Sequence, residues 1–174
     1  EREFDNTAEA WSLVTDAYVK TLRALPGYRQ FEDFSQLSDD LAKLVARQHD
    51  FAEWEIEELI AEPKDKRLQY FIERNTIHEI GNAKRAISEA SSHLTRNALF
   101  IDVKIQDQFS DFLEWGWKAI VAWDIVLEIR RSGGSIDEMN AIERDDEDFR
   151  SHAPDKIEEL KSVVRGRFWP PQEG

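Results

Sequence analysis

The sequence predicts an all-α protein, an antiparallel bundle of four main helices with a short C-terminal helical appendage. Three observations carry that expectation. Apolar residues recur at intervals of three and four along the chain, with no sustained alternation of the strand type. Proline, glycine and capping residues fall at the ends of these periodic runs. A hydrophobic content of 41% with six tryptophans is ample for one continuous core in 174 residues.

The first helix carries Phe4, Ala8, Trp11, Thr15, Tyr18, Leu22 and Leu25 at alternating spacings of four and three, a heptad seam, and Pro26 with Gly27 ends it. A second helix starts at Ser38, whose hydroxyl can cap it while Asp39 and Asp40 favour its positive end. Its inner face is expected to be Leu41, Leu44, Val45, Phe51 and Leu59, up to the break at Pro63. A third helix runs from Lys66 to Asn97 with Ile72, Ile80, Ala83, Ile87, Ala90 and Leu94 on one face, its alanines suited to close packing. Asp102 caps a fourth, which continues to Arg131 and stops at Gly133 and Gly134. Asp107, Glu114, Lys118, Asp124 and Glu128 share one sector of it. Phe109, Phe112, Trp117, Ile120, Trp123 and Leu127 occupy the rest, so this helix is expected at the centre. Ser135 and Glu138 form a capping box for a short fifth helix, and a sixth is expected from Pro154 to Val164, ending at Gly166 before the tail RFWPPQEG. Residues 1–131 are thus read as the four-helix core and 132–174 as an acidic appendage beside it, in a single domain.

Composition excludes several classes of function. The formal charge of -13 opposes binding to nucleic-acid phosphates or anionic lipid, which clustered Lys and Arg would drive. Without cysteine there is no disulfide, thiolate nucleophile or cysteine-ligated metal. The most apolar stretch, Phe112 to Ile129, carries roughly one charge per turn and reads as a buried helix rather than a membrane span. The chain opens at Glu1 in mid-pattern, which predicts a fragment or processed form.

Two near-motifs lie on the third helix. TIHEIGNAKRA begins like the zinc-protease pattern H-E-x-x-H and places Asn82 at the second histidine. Asn82 is a poor zinc ligand. His78, Asn82, Arg85, Glu89 and His93 share one sector, so His78, Glu89 and His93 are the candidate metal ligands. Glu89 and His93 are four apart and miss the E-x-x-H spacing of di-iron bundles. The expectation is a solvated polar stripe, in which replacing either histidine by alanine shifts stability by less than ~0.5 kcal/mol. The acidic run from Asp137 to Asp148 lacks the alternating ligands and glycine of a calcium loop and reads as a solvated helix.

Arg74, Asn75 and His78 resemble the R-N-x-x-x-H motif of HEPN-type helical ribonucleases at one residue shorter spacing. That resemblance implies roles in RNA cleavage for Arg74 and His78, and the alternative reading is an enzyme, a metal-dependent hydrolase or a ribonuclease, built around Arg74, His78 and His93. The run from Trp11 through Tyr18 to LRALPGY, and the turn with Leu94, Asn97, Phe100, Ile101 and Phe109, resemble a class of uncharacterised bacterial all-helical proteins. Members often carry an N-terminal membrane span followed by a coiled-coil helix. The resemblance implies an interaction or scaffold module, membrane-associated only through a segment outside this chain. The leading reading is non-catalytic, without cofactor or nucleic acid. A protein partner or a second copy is expected on the first helix through Phe4, Trp11, Tyr18 and Leu22.

Overall fold

The computed structural model describes residues 1–27, 31–140 and 144–169. Its architecture is all-α, a helical bundle with a C-terminal helix: α1 (Arg2–Ala24), α2 (Asp39–Gln48), α3 (Glu53–Ala61), α4 (Arg67–Arg96), a 3₁₀ turn (Ala98–Phe100), α5 (Val103–Arg131), α6 (Ile136–Asn140) and α7 (Asp145–Phe168). No described helix is long and apolar enough to cross a membrane. The chain divides into two compact units, one of Glu1–Pro26 with Ile80–Gly174, the other of Gly27–Glu79, and α4 contributes to both.

In the larger unit α5 is the central helix, packed on α1 and α7. Its core joins Ala10, Val14 and Ala17 of α1 and Ala83, Ile87, Ala90 and Leu94 of α4 to Phe109, Phe112, Ile120 and Trp123 of α5. Asp102 caps α5 by accepting from the Lys104 and Ile105 amides at 3.0 and 3.4 Å. Ser135 and Glu138 form their reciprocal box at the start of α6. Gly133 takes a positive φ of 75°, which a side chain would oppose. Gly116 admits Phe149 of α7, whose ring lies 3.4 Å from where a Cβ would stand. Trp117, expected inward, is 42% exposed.

The C-terminal helix is longer than the Pro154–Val164 expectation, because Pro154 lies inside α7 and Gly166 does not end it. Phe149, Ala153, Ile157 and Leu160 repeat at helical spacing and are all buried, so packing on α5 outweighs the missing proline N–H. Residues 141–143 of the acidic run, and 170–174 of the tail, lie outside the described residues.

The smaller unit is built around Phe71, which stacks on Phe51 at 5.0 Å and meets Phe34 at 4.7 Å. The expected single helix up to Pro63 is two helices. Asp50 adopts φ 61°, and the Asp50 and Phe51 amides donate back to the Arg47 and Ala46 carbonyls, a Schellman ending with aspartate where glycine is usual. This turn rotates the inner face. Ala42 and Ala46 are buried, whereas Leu41 and Leu44, assigned inward, are about half exposed. On α4, Ile72 likewise points outward.

Candidate functional site

In the polar sector of α4, Arg85 and Glu89 are exposed as expected, His78 and Asn82 are half-buried, and His93 is buried. His78 spends its Nε2 on the Glu55 carboxylate, 2.9 and 3.0 Å from its two oxygens, and stacks on Phe51 at 5.4 Å. Glu55 is buried because it stands at the third position of α3, where its other task is to accept the Ala52 amide at 2.9 Å. His93 is buried in the larger unit, with Nε2 3.2 Å from the Asn6 carbonyl and Nδ1 3.5 Å from Glu9. Apolar spacing could not foresee these partners, since they sit 23 and 87 residues away in sequence. Replacing either histidine by alanine is therefore expected to cost more than an exposed substitution does. Glu89 is exposed.

His78 belongs to the smaller unit and His93 to the larger. Each ring is held by different neighbours. Arg74 does lie one turn from His78, but its guanidinium pairs with Glu58 at 3.2 Å and lies over the Trp54 and Tyr70 rings at 4.9 and 5.6 Å. Tyr70 donates to the same carboxylate at 2.6 Å, and burial, then that bond, pushes its phenol up to about 12. Asn75 is buried against His49, with Oδ1 3.1 Å from Nδ1. Among the described residues no group of three His, Cys, Asp or Glu gathers closely enough to hold a metal ion. Glu55 with His78, and Glu58 with Tyr70 and Arg74, fasten α3 to α4.

A cavity forms instead where the first turns of α1 meet the last turns of α7. Phe4, Ala8 and Trp11 face Val164, Phe168 and Trp169 across about 220 Å³. Phe4 meets Phe168 and Trp169 edge to face, with centroids 5.2 and 5.6 Å apart. Ala8 leaves the gap: a larger side chain there would occupy it. Lys161 and Arg165, one turn apart on α7, also line the cavity. Arg167 is already committed to Glu3 at 2.9 Å and Asp102 at 4.0 Å, which ties the α7 end to α1 and to the start of α5.

Of the four residues expected to meet a partner, Phe4 and Trp11 line this cavity. Tyr18 and Leu22 are partly buried against their own core, Tyr18 beside Phe112 at 6.1 Å. The opposite wall, Phe168 and Trp169, was legible only as a tail. Its signal was two consecutive large aromatics after an amphipathic run, unmatched to any face. Comparison of the chain with known protein families, with curated proteins and with solved structures finds no match.

Proposed function

We propose that this protein is a non-catalytic interaction module and that the α1–α7 cavity holds an apolar group of its partner. The observation that supports this reading is an open, aromatic-lined cavity flanked by exposed Phe4 and Trp169, 41% and 62% accessible. Convergent aromatic side chains with a few polar groups at the edge are the usual make-up of a binding pocket. The histidines, by contrast, are engaged in fastening helices. Titration with decanol, followed by tryptophan fluorescence, tests it. Saturable binding abolished by Ala8→Trp is the expected result, and absence of saturable binding removes the reading.

Self-association through α1 is the second reading, favoured because a second copy laid on Phe4 and Trp11 would cover the exposed aromatics. Sedimentation velocity distinguishes it. A dimer dispersed by Phe4→Glu supports it, and a monomer at high concentration ends it.

A further inference from the structure

We propose that the α1–α7 cavity is a binding site for a single-chain amphiphile with an anionic head, a medium-chain carboxylate or its like. The inference rests on the reading of the cavity as a binding site and adds the identity of the occupant. Size sets the first limit. About 220 Å³ is below the ~300–1,000 Å³ typical of pockets for drug-sized ligands, so one hydrocarbon chain enters and a two-chain lipid does not. Lining sets the second: Phe4, Ala8, Trp11, Val164, Phe168 and Trp169 present hydrocarbon and ring faces, which take a chain without directional demands.

Charge sets the third. The molecule carries -13, yet the two charged residues among the described ones lining this cavity are both cations. Lys161 is partly neutralised by Glu158 at 3.0 Å, whereas Arg165 has no ion pair with a described residue. Arg167, the next cation on α7, is held by Glu3 and Asp102 and is not available. An anionic head therefore meets a guanidinium that pairs with no described carboxylate, while a cationic head meets repulsion there. Long-range attraction from the acidic surface favours the opposite sign. The local and global fields thus predict different ligands.

Titration calorimetry of the full chain with decanoate, decanol and decyltrimethylammonium, each below its micelle concentration, separates them. Decanoate is expected to bind at one site, at least about three-fold tighter than decanol, the gain of a partly exposed charge pair. Octanoate should bind about fifteen-fold more weakly than decanoate, the loss of two buried methylenes. Lys161→Glu combined with Arg165→Glu should abolish the preference for decanoate while decanol still binds, and Arg131→Glu, at the far end of α5, should leave the preference intact. Equal binding of decanoate and decanol, or a preference that survives the double charge reversal, overturns the anionic ligand and leaves the cavity as a neutral apolar site. Saturable binding of none of the three overturns both.

Discussion

The two units use the same secondary structure and are held by different means. In the larger one, helices of 23 to 30 residues bury alanine, leucine, isoleucine and aromatic side chains in long stripes. Lys118 and Lys161 pair at its surface with Glu114 and Glu158 one turn away, and Lys84 of α4 reaches Asp124 of α5. The smaller unit has helices of 10 and 9 residues, and polar groups go inside. Arg67 is buried and donates to the Ile60 and Glu62 carbonyls at 2.8 and 3.1 Å while pairing with Asp39 at 2.8 Å. Every helix leaves four amides and four carbonyls unpaired at its ends, and in a helix of nine residues those are nearly half of the backbone polar groups. Short helices are marginal alone, so their ends need partners that long helices can leave to water. Arg67 and Glu55 are those partners. The lesson is that the short helices of the smaller unit have their ends held by buried charged side chains.

The largest expected effect lies in the apolar unit. Trp123→Ala should cost about 3–5 kcal/mol, as removal of a buried aromatic does, and Glu114→Ala less than ~0.5, both measured by denaturant unfolding. Equal costs would mean that the faces of α5 are misassigned.

Next comes the polar staple of the smaller unit. Arg67→Ala should cost about 2–4 kcal/mol, because two carbonyls lose a charged donor and the buried stem leaves a void. Native-state hydrogen exchange locates the loss: amides of α2 and α3 should exchange faster, those of α5 should not. Uniform acceleration would show that the two units do not differ in this way.

Asp50→Gly has the opposite sign. Removing a Cβ from a left-handed residue should stabilise the smaller unit by about 0.5–1 kcal/mol, read as a raised denaturation midpoint. A loss of stability would indicate that the aspartate carboxylate does something beyond terminating α2.

Smallest is the titration of Tyr70. Its folded phenol stands at about 12 and an unfolded tyrosine near 10, so its contribution is whole below ~pH 10 and is lost as pH rises through about 12. Ultraviolet titration of the protein against Tyr70→Phe should show one phenolate missing with a midpoint of about 12. A missing phenolate at the ordinary value would mean that Glu58 and burial do not hold the proton.

Helix class, the capped start of α5 and its central place followed from local rules, since Asp102, Gly133 and the apolar circumference act on their own neighbours in the chain. So did the long α4, where Ala83 and Ala90 are buried as expected. The end of α2 was not legible, because Asp50 is an uncommon residue for a left-handed cap and no glycine or proline marks the spot. The heptad seam of α1 was correctly periodic, yet the fully buried stripe is Ala10, Val14, Ala17, Thr21 and Ala24 beside it. Helical period identifies a face only to within a residue or so, and close approach of α5 selects the small side chains.

The sequence alone determined helix class and charge, because neither depends on which distant residues meet. Tertiary structure alone decided that His78 would meet Glu55, that His93 would meet Asn6, and that Phe168 and Trp169 would close on Phe4. Those pairings join residues 23, 87 and more than 160 positions apart, and which distant side chains meet is settled by how whole helices dock. Periodicity carries the face of a helix and holds no record of its neighbour.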